Sequence, residues 1–263
     1  MTPPNVPDIA KVRRSAMPRY DFRTPRLFVE GMLAQGAVIV LDKSRSNYLS
    51  NVLRLGPGDP VLAFNGRDGE WRTELQRDGR KSVALAAIEI SRPQDRPADL
   101  HYLFAPLKHA RLDYMVQKAV ELGVSRLQPV ITKHTQAARV NIERMRANAI
   151  EAAEQCGILT IADVTEAKPL AKALDARGGE RTLVFCDEDA ETRDPMAALS
   201  VVQKASPLAV LIGPEGGFAE DERALLLRQS NVVRLALGPR ILRADTAAVA
   251  ALTLVQAALG DWR

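Results

Sequence analysis

The chain has 263 residues, 46% hydrophobic and 26% charged, with a formal net charge of +4. This balance fits one large or two modest globular domains and excludes disorder along the whole chain. No run approaches the ~18 apolar residues of a membrane helix. The start, MTPPNVPDIAKVRRSAMPRYDF, lacks the apolar segment of a secretory signal, so no membrane association and a cytoplasmic location are expected.

Residues 1–17 contain three prolines and the basic run Lys11, Arg13 and Arg14, and read as a flexible arm. Met17 opens a more structured stretch and is an alternative start. Short β-rich pieces follow over 26–29, 37–41, 61–65, 70–75 and 82–90, with turn signals at 56–59 and 66–69 and one helix over 45–55. Short strands with tight turns predict a small β-barrel over 18–92. Residues 91–97 hold two prolines and no large apolar side chain, the composition of a linker.

Beyond the linker the texture changes, and residues 98–263 form the second predicted domain. Strands are expected over 100–105, 126–131, 182–186, 209–212 and 232–237. Helices are expected over 111–122, 141–155 and 246–259, and another starting near Glu220. Asn141 is suited to cap the second of these helices, and Asp245 or Thr246 the last. Apolar strands alternating with helices predict an α/β domain whose parallel sheet is covered on both faces.

Charge is uneven along the chain. Residues 1–97 hold 16 Lys and Arg against 11 Asp and Glu, whereas the remainder hold 20 against 21. A basic first third suits an anionic partner, or is ordinary surface chemistry. Cys156 and Cys186 form no CxxC, and His101, His109 and His134 form no HExxH, so no metal site is expected. There is no GxGxxG, GxxxxGK[ST] or GxSxG. The acidic run Asp187-Glu188-Asp189 reads as a solvated loop.

Two segments stand out. In Leu211-Ile212-Gly213-Pro214-Glu215-Gly216-Gly217-Phe218 a buried strand enters a glycine-rich turn, where backbone amides can approach a ligand. The following helix opens on Glu220, Asp221 and Glu222, which disfavours a phosphate and favours a neutral or cationic ligand. A tight turn with no ligand is the alternative. In Leu235-Ala236-Leu237-Gly238-Pro239-Arg240-Ile241-Leu242-Arg243-Ala244-Asp245-Thr246-Ala247 a second strand ends in glycine, and its loop carries two arginines.

Together, IGPEGGF at 212–218 and LGPRILRADT at 237–246 resemble the knotted SPOUT-class RNA methyltransferases, and more narrowly the RsmE family. That family methylates N3 of a uridine in the 16S RNA of the small ribosomal subunit. MPRYDF at 17–22, FAPLK at 104–108, VQKAVELGV at 116–124, QPV at 128–130 and EAAEQCG at 151–157 extend the resemblance over residues 17–260 in family order. Asp245 replaces the usual Glu, and Ile158 stands where an Arg often follows EQCG.

The resemblance implies a PUA-like β-barrel joined to an α/β domain with a C-terminal trefoil knot, a homodimer, and S-adenosylmethionine as cofactor. The cofactor would sit at Ile212, Gly213, Glu215, Gly216, Gly217, Leu237, Gly238, Ile241 and Leu242. Its sulfonium carries positive charge and no phosphate, in keeping with the acidic helix start. Uridine N3 must lose a proton, so Arg243 is expected to stabilise the resulting charge, with Glu121, Glu154 or Asp245 accepting the proton. Arg19, Arg23, Arg26, Arg54, Arg67 and Arg72 of the basic barrel are expected to hold RNA phosphates. Two other functions fit the residues: a ribosome-binding module without catalysis, and an unrelated α/β enzyme that binds a nucleotide.

Overall fold

The computed structural model describes residues 21, 23–79, 82–96, 98–108, 110–137, 139–204 and 206–262. The expected arm over 1–17 and Arg19 lie outside the described residues. Alternating apolar side chains in the first third build five strands: β1 (Arg26–Phe28), β2 (Val38–Val40), β3 (Pro60–Phe64), β4 (Glu70–Asp78) and β5 (Ser82–Arg92). They form one sheet in the order β1-β3-β4-β5-β2, antiparallel except for the parallel β1–β3 pair. Leu27, Ile39, Val61, Ala63, Leu75, Val83 and Leu85, drawn from all five strands, meet Leu49 in a single apolar cluster. The strands thus surround a core of their own, as a small barrel does.

The predicted helix over 45–55 is shorter and earlier. It consists of α1 (Lys43–Asn47) running into a π turn (Tyr48–Val52), because the Asp42 carboxylate accepts the Arg45 N–H and caps the start. β5 extends two residues into the predicted linker, since Arg92 pairs in register with Glu70 and bonds to its carboxylate.

The second sheet comprises β6 (Leu100–Phe104), β7 (Arg126–Ile131), β8 (Asp163–Val164), β9 (Lys168–Pro169), β10 (Thr182–Cys186), β11 (Leu208–Ile212) and β12 (Val232–Leu235). Its order is β12-β10-β11-β6-β7-β8, with β9 also on β7, and every pairing among the described residues is parallel. The helices are α2 (Ala110–Glu121), α3 (Ile142–Cys156), α4 (Leu170–Arg177), α5 (Pro195–Leu199), α6 (Glu220–Leu227) and α7 (Ala244–Leu259). Strand side chains alternate between two cores. Tyr102, Phe104, Val184, Val210 and Ile212 pack with α2, α3, α5 and α7, whereas Leu103, Phe185, Ala209 and Leu211 pack with α4 and α6.

Asn141 caps α3 as its sequence requires, accepting the Arg144 N–H. The cap expected of Asp245 or Thr246 is absent. Arg243 holds the N-cap position of α7 without a side-chain bond, and Asp245 accepts the Thr246 N–H inside the first turn.

Arg26 joins the two sheets. Its guanidinium donates to Glu70 at 2.7 Å and to the carbonyls of Ala153, Glu154 and Ile158 at the end of α3. It also lies 4.3 Å from the ring centroid of Phe64, which packs against Ala153 and Leu159. Arg92 bonds both Glu70 and the Gly157 carbonyl, and Glu154 accepts the Phe28 N–H at 2.8 Å. Burial opposes ionisation of Glu70, but the hydrogen bonds from Arg92 and Arg26 outweigh it and hold the carboxyl below its ordinary value.

Candidate functional site

In a parallel α/β sheet the loops beyond the carboxyl ends of the strands gather at one edge. Five such loops matter here, beginning at residues 105, 132, 187, 213 and 236. Both glycine-bearing segments are among them, leaving β11 and β12.

The first segment is held on several sides. Arg111 of α2 pairs with Glu215. His134 Nδ1 lies 3.2 Å from the Gly216 carbonyl and 3.0 Å from that of Gly217. Glu222, buried in the first turn of α6, accepts the N–H groups of Lys133 and Ala219. Gly213 needs its missing side chain, since a Cβ there would stand 2.8 Å from the Phe218 ring. Gly217 has a φ of +69°, and the nearest atom to a Cβ there would be a Glu188 carboxylate oxygen at 4.0 Å.

The second segment is open. Gly238 has a φ of +91°, and among the described residues nothing lies within 4 Å of where its Cβ would be. Leu237 and Leu242 pack partly against the core, whereas Ile241 is 100% exposed. Arg243 is exposed, and its side chain has no hydrogen bond or ion pair among the described residues.

Between the two segments lies a residue that sequence reasoning missed. Asp187, assigned there to a solvated acidic loop, is only 4% exposed. It accepts from Arg234 at 2.7 Å and Arg223 at 3.1 Å. Burial again opposes its charge, but the Arg234 and Arg223 bonds win and lower its pKa. Its position directly after a buried strand was the available signal. Neighbouring Cys186 has its thiol pushed up to about 12 by burial, with Asp187 and Glu188 adding to the shift, which favours the protonated thiol over the thiolate.

The fold separates the three carboxylates considered as proton acceptors. Glu121 ends α2, a helix of 12 residues that runs back from the loop edge, roughly 16 Å at 1.5 Å per residue. It is bonded to Lys118. Glu154 is committed to Phe28 at the junction of the sheets. Asp245, in the first turn of α7, is at the loop edge, two residues from Arg243.

The expected phosphate contacts need correction at Arg26. It is 8% exposed and fully engaged in joining the domains, because the β1 side chain at that register faces α3 and not solvent. Arg23, Arg54, Arg67 and Arg72 are exposed. Arg67 donates to the Glu30 carbonyl, and Arg72 lies 3.8 Å from Glu89. The barrel also carries a cavity of about 670 Å³ lined by Lys43, Ser46, Asn47, Ser50, Asn51 and Arg77, among others. Of the expected arginines among the described residues, none lines it. Among the described residues, no cluster of His, Cys, Asp or Glu is arranged for a metal ion, and no helix is long and apolar enough to cross a membrane.

The chain thus joins a small β-barrel to a parallel α/β sheet with glycine-bearing loops at its carboxyl edge, and both parts match RNA methyltransferase domains. Residues 94–256 match the family model of the RNA methyltransferase domain, and residues 41–87 match that of the RNA methyltransferase PUA domain. The chain belongs to this RNA methyltransferase family. More particularly, it is similar to Ribosomal RNA small subunit methyltransferase E of Rickettsia conorii, with 30% identity over 88% of this chain and 94% of the relative. The enzyme of the same name from Bacillus subtilis is 28% identical over 80% of this chain and 86% of the relative. Among solved structures, that of Ribosomal RNA small subunit methyltransferase E from Neisseria gonorrhoeae, bound to S-adenosyl methionine, aligns with a TM-score of 0.81. It is 26% identical and covers 91% of this chain and 100% of that one.

Proposed function

We propose that this protein, an S-adenosylmethionine-dependent ribosomal RNA methyltransferase, modifies N3 of a uridine in 16S RNA of the small ribosomal subunit. The observation that carries the reading is the placement of Arg243 and Asp245 at the end of an open glycine-bearing loop, on the same edge as the IGPEGGF turn. Methylating an imide nitrogen requires a proton acceptor and a partner for the negative charge left on the base. Those two residues are the chemistry required.

The cofactor suits the residues at that edge. The open space around Gly238 and the positive φ of Gly217 let the backbone approach a ligand, and the Glu188 carboxylate near Gly217 suits a cation. Ile212, Gly213, Glu215, Gly216 and Gly217 would hold one side, and Leu237, Gly238, Ile241 and Leu242 the other. When bound, S-adenosylmethionine supplies an activated methyl group on a sulfonium centre. Asp245 takes the N3 proton. Arg243 meets the charge that develops on the uracil ring and its carbonyl oxygens.

The chain path supports the trefoil knot. β12 lies beyond β10 at the sheet edge, yet α7, which follows it, returns to pack on β11, α2 and α5. A homodimer fits the same region. The cleft of Pro106, Leu107, Lys108, His134, Gln136, Pro214 and Glu215 measures only about 20 Å³ in one chain, and Ile241 is wholly exposed. A second subunit would enclose the open loop. The reaction takes place in the cytoplasm, where ribosomes are assembled.

Calorimetric titration with S-adenosylmethionine, followed by methylation of small subunits lacking the modification and analysis of the nucleosides, tests the reading. Cofactor binding and 3-methyluridine are expected. Absence of binding, or a methyl group on another atom, would overturn it.

A further inference from the structure

Alongside the 213–219 loop, at the same sheet edge, lies a groove of about 480 Å³ that the roles above do not use. That volume is within the roughly 300–1,000 Å³ range of small-molecule sites. Its apolar floor is formed by Leu107, Leu112 and Met145. Lys108, Arg139 and Arg144 stand around it against one carboxylate, Asp113. Asp113 is already engaged, accepting from Arg144 at 2.6 Å and from Asn148 at 2.7 Å. Lys108 and Arg139 are exposed, and their side chains have no hydrogen bond or ion pair among the described residues. Leu107, Lys108 and Gln136 line both this groove and the small cleft against Pro214 and Glu215, so the two are continuous.

An apolar floor with unpaired cations at its rim is the chemistry of an unstacked nucleotide, whose base needs an apolar surface and whose phosphates need positive charge. We propose that this groove receives the single-stranded RNA segment that carries the target base, with the base against Leu107 and Leu112 and flanking phosphates on Lys108 and Arg139. The proposal rests on the methyltransferase reading and adds the substrate path to it. It also moves part of the RNA contact from the barrel to the catalytic domain. None of the residues assigned to the cofactor lines this groove, which sets it apart from the cofactor loops.

The test uses the full chain with unmodified small subunits. Arg139→Ala and Lys108→Ala should each raise the RNA concentration for half-maximal single-turnover rate about tenfold, the size of one lost charged hydrogen bond. Each should also flatten the salt dependence of RNA binding by about one counterion. Arg139→Lys should restore most of the affinity, and calorimetric affinity for S-adenosylmethionine should stay constant. Leu112→Glu, which puts a carboxylate on the floor, should slow the reaction even at saturating RNA. Unchanged RNA affinity and salt slope in both alanine variants would overturn the groove. Weakened cofactor binding in them would assign it to the cofactor instead. A wild-type protein that binds no S-adenosylmethionine would sink the underlying reading, which is a separate outcome.

Discussion

The two glycine-bearing loops resemble each other in sequence and differ in restraint. The 213–219 loop is tied to α2 through Arg111, to the 132–141 loop through His134 and Lys133, and to its own helix through Glu222. The 236–243 loop presents Gly238, Ile241 and Arg243 to solvent. One side of the site is therefore held from several directions, while the other is open to solvent. Groups that act on charge developing in the transition state gain from a water-poor enclosure. The proposed function accordingly assigns the chemical burden to the open loop and the holding burden to the tied one.

The sharpest break of this comparison is Arg243→Ala. An arginine that meets charge only as N3 attacks should cost the single-turnover rate far more than the affinity for RNA or cofactor. The expected loss is roughly 10²–10³, as for other donors of this kind. Arg243→Lys should recover part of it, because a point charge does not reproduce the planar fork. A rate near wild type at saturating RNA and cofactor would reduce Arg243 to a phosphate anchor.

The glycines separate the loops in a second way. Gly213→Ala drives a Cβ to 2.8 Å from Phe218 and should destabilise the fold by about 1–3 kcal/mol, read as a lowered denaturation midpoint. Gly238→Ala meets no atom and costs only the strain of a positive φ, about 1 kcal/mol, while weakening S-adenosylmethionine binding. Equal stability losses in the two variants would mean that the 236–243 loop is as tightly packed as its counterpart.

Asp187 extends the comparison to pH. Its carboxyl is held below the ordinary value of 3.8 in the folded chain, so it binds protons more readily when unfolded. Its contribution is complete above that value and is lost as pH falls through the lowered one. Glu70, held below 4.5, has the same sign. Wild-type protein should lose stability steeply on acidification through this range, and Asp187→Asn should lose less, since its share is already gone. Identical acid limbs for the two would remove Asp187 from the account.

Much of this was legible in the sequence. Period-two apolar strands, the Asn141 cap and both glycine loops are local signals, and local signals survive without a partner. Arg26 was misread for the opposite reason. Its role depends on three carbonyls more than 120 residues away, at the end of a helix whose packing nothing near Arg26 announces. Asp187 was misread because two arginines, 36 and 47 residues along the chain, determine whether an acidic run is solvated. The strands Asp163–Val164 and Lys168–Pro169 are two residues each, too short to carry any periodicity.

The smallest effect is expected at Glu154, and its smallness is informative. This residue was one of three carboxylates suited by type to accept the N3 proton. It lies instead at the junction of the two sheets, where burial raises its pKa and the Phe28 N–H bond opposes the rise. An amide oxygen accepts that N–H as a carboxylate does, and no full charge remains to be desolvated. Glu154→Gln should therefore leave the methylation rate within about twofold of wild type and shift stability by less than about 0.5 kcal/mol. Glu154→Ala, which leaves the Phe28 N–H without its acceptor, should cost about 1–3 kcal/mol. A collapse of the single-turnover rate in a stably folded Glu154→Gln protein would return the proton to Glu154. It would also show that the end of α3 reaches the reacting base, contrary to the separation of the two edges on which the assignment of Asp245 depends.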